Sequence, residues 1–378
     1  MYLQKLILNN FKNCGEAMLH FSEKINCFIG DNGAGKTNIL DGIYYLSFCK
    51  SYFNNIDVLN ILHGEDFFAI HGIYSRNGSK QDKVSCLQKV NQKKSFRINS
   101  KEYDRLADHI GLLPLVMISP YDRDLINEGS DQRRKYIDGV ISQFDRIYLD
   151  NLLNYNKALS QRNALLKRFA ETSSINRSSI EVWDKQLTDY GLLIHEKRKE
   201  FIDALIPIFQ DYFSEITGNR ETVGIAYDSQ LHDSSLGELL AGSLDRDLKL
   251  RYTTTGIHKD DLAFNIGGHP LKRFGSQGQQ KSFVIALKLA QFEFTKRLKG
   301  FKPILLFDDI FDKLDDHRVE HIISLVGHNN FGQVFITDTQ KVRIEKLFAE
   351  SDIDHKIFRV EEGSVVEVKN NVNDKKIK

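Results

Sequence analysis

The run Gly30-Asp31-Asn32-Gly33-Ala34-Gly35-Lys36-Thr37 sets two glycines, a lysine and a hydroxyl at the spacing G-x-x-x-x-G-K-[ST], that of a loop which grips phosphate. Glycine at 33 and 35 lets the backbone curl so that successive N–H groups point inward at phosphate oxygens. A helix beginning directly afterwards, through Asn38, adds the positive end of its dipole. Lys36 then reaches the outer phosphates, and the Thr37 hydroxyl is the expected first ligand of a Mg²⁺ that keeps most of its waters. A second segment fits the same chemistry. Pro303-Ile304-Leu305-Leu306-Phe307 is an apolar strand that ends in the paired carboxylates Asp308 and Asp309, as a Walker B element requires. Asp308 is placed to hold the same Mg²⁺ through water.

Other polar groups carry weaker signals. Ser276 and Gln279, three apart before an apolar-periodic run, read as a capping box, with Ser276 as the N-cap. A helix start capped in this way is itself an anion site. Arg133, Arg134 and Lys135 are equally readable as contacts to DNA phosphate or as a solvated helix start. Gly256-Ile257-His258-Lys259-Asp260-Asp261 reads as a charged turn entering a hairpin, and no metal is assigned to it. No regular alternation of basic and aromatic residues marks a base-stacking surface, so the sequence traces no DNA path.

The elements that must position these groups follow from periodicity. Apolar residues from Ile25 to Ile29 lead into the glycine loop as a strand. Ile39, Leu40, Ile43 and Leu46 lead out of it at helical spacing. Around this unit, strands are expected at Leu3 to Leu8, Ala17 to Phe21, Phe67 to Tyr74, Val84 to Val90, Ser95 to Ile98 and Leu115 to Ile118, with Asn77-Gly78 as a hairpin turn. From Ser130 to Ala170 and from Ile180 to Ile216 glycine nearly disappears, and apolar residues recur every three or four positions. These stretches read as two long helices, reversed at the polar segment 172–179 into an antiparallel arm. A second α/β block starts near Thr222, with a helix from Gln279 to about Leu298 and strands Ile304 to Phe307 and Val334 to Ile336. The expected organisation is one discontinuous domain, 1–125 plus 222–369, interrupted by a helical arm at 126–221 and followed by a flexible tail at 370–378.

Composition limits the alternatives. The 378 residues are 41% hydrophobic and 27% charged, ordinary for a chain with a sizeable core. The net charge of +1 means that any nucleic-acid surface must be a local patch. Cys14, Cys27, Cys49 and Cys86 have no metal-ligand or disulfide spacing and read as reduced core thiols. With neither a leader-like apolar segment at the amino end nor an apolar run long enough to span a bilayer, a cytoplasmic protein with no membrane partner is expected.

Taken in order, Asn10-Phe11-Lys12-Asn13, the glycine loop, Ser119-Pro120-Tyr121-Asp122, Gln132-Arg133-Arg134, Gly256 to Asp261, the Ser276 segment and Leu306-Phe307-Asp308-Asp309 resemble the RecF family of bacterial recombination mediators. The chain departs from the usual family pattern at Lys12, Tyr121, Ile257 and Lys259. The resemblance implies an α/β, ABC-type P-loop ATPase head with a mixed sheet, interrupted by an α-helical arm much shorter than the coiled coils of Rad50 and SMC relatives. It implies ATP and Mg²⁺ as cofactors, and Asp309 at the position of the glutamate that orients or deprotonates water. Ser276, Gly278 and Gln279 would form a signature engaging the ATP of a second subunit, Asp315 a D-loop, and Thr337 the switch position where transporter ATPases carry histidine. The implied activity is weak ATP hydrolysis that resets an ATP-dependent homodimer. This dimer would clamp single- and double-stranded DNA at gaps and junctions, with RecR and RecO as partners that help load RecA. The alternative is the nucleotide-binding subunit of an ABC transporter.

Overall fold

The computed structural model describes residues 1–76, 80–172, 177–219, 221–311, 318–319, 322, 325, 331–340 and 353–368. In chain order the elements begin with β1 (Tyr2–Phe11), β2 (Cys14–His20), β3 (Ile25–Ile29) and α1 (Lys36–Phe48). Next come β4 (Phe67–Arg76), β5 (Lys80–Lys89), β6 (Ser95–Ile98), β7 (Lys101–Glu102) and β8 (Leu115–Ile118). The helices α2 (Asp124–Asn127), α3 (Ser130–Ile141), α4 (Arg146–Thr172) and α5 (Arg177–Thr217) precede β9 (Val223–Asp228) and α6 (Leu236–Leu250). Then follow β10 (Asp261–Ile266), β11 (His269–Pro270), α7 (Leu271–Phe274) and α8 (Gln277–Lys299). The chain closes with β12 (Ile304–Asp308), β13 (Val334–Asp338), β14 (His355–Glu361) and β15 (Ser364–Glu367).

The chain divides into two compact units, one of Met1–Tyr121 with Gln291–Lys378 and one of Asp122–Ala290. In the first unit, one six-stranded sheet is ordered β2-β1-β4-β5-β6-β7 and is antiparallel throughout its pairings. The other, ordered β15-β14-β3-β13-β12-β8, is mixed. Its strands from β14 to β8 run parallel, and β15 is an antiparallel edge. Every residue of β3, β8, β12 and β13 is buried, the continuous apolar run that a sheet covered on both faces demands. Helix α1 belongs to the same core through Ile39, Leu40, Ile43 and Leu46, which pack with Leu6, Leu8, Leu306 and Phe335. Cys14, Cys27, Cys49 and Cys86 are buried free thiols of this unit.

The second unit pairs the three-stranded antiparallel sheet β11-β10-β9 with the helices. The stretch 130–170, expected as one helix, is two. Asp145 Oδ1 accepts the Tyr148 N–H at 2.8 Å and so caps a new helix after α3 has ended. Helix α5 runs through Pro207, which the apolar periodicity passes over. Residues 222–290, expected with the glycine-loop domain, fall in the compact unit that holds the helices. One reason is ionic: Arg133 of α3 makes a two-pronged pair with Asp261 of β10 at 2.6 and 2.9 Å. A second is the buried Arg198 of α5, which donates to Asp260 Oδ2 at 2.8 Å and to Asp138 Oδ1 at 2.9 Å. Of the reversal expected at 172–179, Thr172 ends α4 and Arg177 to Ser179 open α5, while 173–176 lie outside the described residues, as do the Asn77-Gly78 turn, Asp315 and the tail at 370–378. No described helix is long and apolar enough to cross a membrane.

Candidate nucleotide site

Parallel sheets present ligand sites at the carboxyl ends of their strands, and three such ends meet here. Strand β3 delivers Gly30, β12 delivers Asp308, and β13, paired between them, delivers Thr337 and Asp338. The glycine loop joins β3 to α1, with Gly35 as the N-cap of α1 at φ +113. A side chain there would be strained by that angle and would also meet the Asn13 amide at 2.7 Å. At Gly30 a Cβ would stand 2.2 Å from the Val360 carbonyl, so the β14 backbone lies directly against the loop.

Two turns brace the loop. Asn13 Nδ2 donates to the Ala34 carbonyl at 3.2 Å, and the Gly363 N–H donates to the same oxygen at 2.8 Å. Asn38 Nδ2 donates to Asn13 Oδ1 at 2.7 Å, tying the first turn of α1 to the β1–β2 turn. The neighbouring Lys12 ammonium pairs with the buried Asp41 of α1 at 2.7 Å. Inside the loop Lys36 Nζ donates to the Gly30 and Asp31 carbonyls at 2.7 and 2.8 Å. Burial pushes this ammonium below its ordinary range, against the opposing pull of Asp309, Asp308, Asp31 and Asp338.

Thr37 and Asp308 are 271 positions apart in sequence, yet Thr37 Oγ1 donates to Asp308 Oδ1 at 2.8 Å. Thr337 Oγ1 donates to the same oxygen at 2.9 Å and accepts the Asp309 N–H at 2.9 Å. Burial pushes the Asp308 carboxyl above its ordinary range, and the two threonine hydroxyls pull it part of the way back. A hydroxyl and a carboxylate converging beside a phosphate-type loop are the donor set that suits Mg²⁺, a hard cation.

The Ser276 segment lies in the second unit. Ser276 Oγ accepts the Gln279 N–H at 3.2 Å, and Gln279 Oε1 accepts the Ser276 N–H at 2.7 Å, so both bonds of a capping box are made. Ser276 is exposed at the start of α8. Neither Arg133 nor Arg134 is a free phosphate contact. Arg133 holds Asp261, and Arg134 donates to the Asp260 carbonyl at 2.6 Å, while Lys135 pairs with Asp131 on the surface. The turn at Gly256 to Asp261 holds Arg198 and Arg133, and among the described residues no cluster of metal-ligating side chains is found. Sequence reasoning missed the brace at Gly363 and the role of Asn13 in it. The local signals were the place of Asn13 in the Asn10-Phe11-Lys12-Asn13 run and Gly363, which with Glu362 forms a turn of positive φ.

Residues 2–364 match the family model described as the RecF/RecN/SMC N terminal domain. A DNA replication and repair protein RecF from Flavobacterium johnsoniae is 52% identical over 95% of this chain and 100% of its own length. One from Bacteroides fragilis is 48% identical over 97% of this chain and 99% of its own. Among solved structures, the recombination mediator protein RecF with ATP, in the RecFOR pathway, superposes with a TM-score of 0.87 at 31% identity. The match covers 97% of this chain and 98% of that one. An Smc head bound to the C-winged helix domain of ScpA shares the fold, at a TM-score of 0.58 and 16% identity over 98% of each chain.

Proposed function

Because the chain belongs to the RecF family of the RecF/RecN/SMC ATPases, we propose that it is an ATP-switched clamp on DNA that serves replication and recombinational repair. The observation that carries the nucleotide reading is the bond from Thr37 to Asp308, which joins the loop after β3 to the carboxylate ending β12. The loop N–H groups and Lys36 would hold the ATP phosphates, with Thr37 and Asp308 holding Mg²⁺ and Asp309 orienting the attacking water. Magnesium, when bound, would neutralise charge developing on the transferred phosphoryl group. Ser276, Gly278 and Gln279 of a second copy would close over the γ-phosphate, so that ATP binding drives dimerisation and slow hydrolysis reverses it.

The DNA would be gapped or junction DNA, with RecR and RecO as partners in helping RecA load, and the protein would act in the cytoplasm. Relatives that match over nearly the whole chain are replication and repair proteins, which sets the transporter-subunit reading aside. The test is binding to gapped duplex with and without ATP, beside the Lys36→Ala variant. The parent is expected to bind DNA more tightly with ATP. Lys36→Ala should lose ATP binding by calorimetry and, with it, the ATP dependence on DNA. ATP affinity undiminished in the variant would overturn the nucleotide-site assignment, and DNA binding indifferent to ATP would overturn the clamp.

A further inference from the structure

Thr337 is fully buried and stands directly opposite Asp308 in the parallel register of β12 and β13. Its hydroxyl makes two bonds of opposite sense. The proton goes to Asp308 Oδ1, and a lone pair takes the Asp309 N–H, both at 2.9 Å. A hydroxyl has one proton to give, so in this arrangement it has none for a phosphate oxygen. Asp309 itself turns at φ +46, out of strand geometry, and its N–H at that turn is the one anchored by Thr337. The Asp308 oxygen that receives the Thr337 proton is also the one that receives the Thr37 hydroxyl.

We propose that Thr337 is a positioning residue for ATP hydrolysis, whose hydroxyl aims the Asp308 carboxylate at Thr37 and fixes the left-handed turn that presents Asp309. It acts through the two carboxylates and not on the nucleotide. The metal-side and water-side groups are thereby held in one register by a single side chain on the neighbouring strand. Both bonds of the threonine hydroxyl are made within the sheet, to the strand beside it and the turn that follows. The inference rests on the reading of Thr37 and Asp308 as the Mg²⁺ pair.

The experiment compares Thr337→Val, which removes the hydroxyl at nearly constant shape, with Thr337→Ser, which keeps it, in the full chain. Calorimetry with a non-hydrolysable ATP analogue is run with and without Mg²⁺, and turnover is measured beside it. Without Mg²⁺ both variants should bind as the parent does. With Mg²⁺, Thr337→Val should lose about tenfold of the affinity that the metal adds, the size of one hydrogen bond to a charged acceptor, and its kcat should fall at least as far. Thr337→Ser should retain both properties. Parent-like metal dependence and turnover in Thr337→Val would overturn the proposal. So would equal defects in the valine and serine variants, which would indicate packing, or a loss already complete without Mg²⁺. If Thr337→Val does not melt cooperatively, Thr337→Ala is read in its place by the same criteria. If Mg²⁺ adds no affinity in the parent, the metal-pair reading itself has failed and this inference falls with it.

Discussion

Asp309→Asn separates charge from geometry at the turn after β12. Asp309 lies at φ +46, where aspartate and asparagine are tolerated but other L residues with a Cβ cost about 1–2 kcal/mol. Asparagine keeps the size, the turn and the N–H bonded to Thr337 Oγ1, and removes only the negative charge. The asparagine variant should therefore melt with the parent. Asp309→Ala should be less stable by about 1–2 kcal/mol, a downward shift in Tm of a few degrees. Loss of a group that orients or deprotonates water lowers turnover by about 10²- to 10⁴-fold. ATP binding should survive, because the change leaves the glycine loop and Lys36 in place and removes a negative charge near the phosphates. The assay is single-turnover phosphate release paired with sedimentation in ATP and Mg²⁺, and the expected result is slow release from a long-lived dimer. Parent-rate hydrolysis by Asp309→Asn would assign the catalytic role to another group. Equal melting of the asparagine and alanine variants would refute the backbone argument.

Three further outcomes follow from the same structure. Ser276→Arg should leave ATP binding by the monomer intact and block ATP-induced dimerisation in sedimentation. Ser276→Ala should still dimerise but lose the roughly 1 kcal/mol of a helix cap, read as a lowered melting temperature. Arg198→Met removes the cation between Asp138 and the buried Asp260 and should cost about 3–5 kcal/mol in denaturant unfolding, since a carboxylate is left buried without its partner; an unchanged midpoint would exclude that cluster as a stabilising node. DNA affinity should fall with salt at a log–log slope of about −0.9 per duplex phosphate contacted, and a flat profile would argue against a clamp held by phosphate contacts.

Legibility in the sequence followed the range of the interactions. The phosphate loop is built from neighbours, glycines next to a strand and a helix, so spacing alone located Gly30 to Asn38 and the elements on either side. Apolar runs likewise located β8, β12 and β13, whose residues are buried on both faces. Helix ends that depend on one side chain were less visible. Asp145 starts a new helix by accepting a single N–H, and periodicity carries no trace of that bond. The grouping of 222–290 with the helices was hidden for a related reason. It depends on Arg133 and Arg198 reaching carboxylates 128 and 62 positions away, whereas from sequence the first arginine is equally readable as a DNA contact.

The site itself shows why a motif stops short of a mechanism. Asp308 and Asp309 are adjacent in sequence and look like a pair, but what each one touches depends on β13, a strand that no carboxylate motif includes. Register places Thr337 opposite Asp308, and the side-chain hydroxyl then bonds to the carboxylate of one aspartate and the backbone of the next. A one-residue slip of β13 would send position 337 to the other face of the sheet, leaving both motifs intact in sequence and their carboxylates without this support. The same holds at the loop, where Gly363 and Asn13, from two distant turns, share the Ala34 carbonyl. Local spacing therefore picks out the candidate groups, and strand register and turn contacts decide what each one touches.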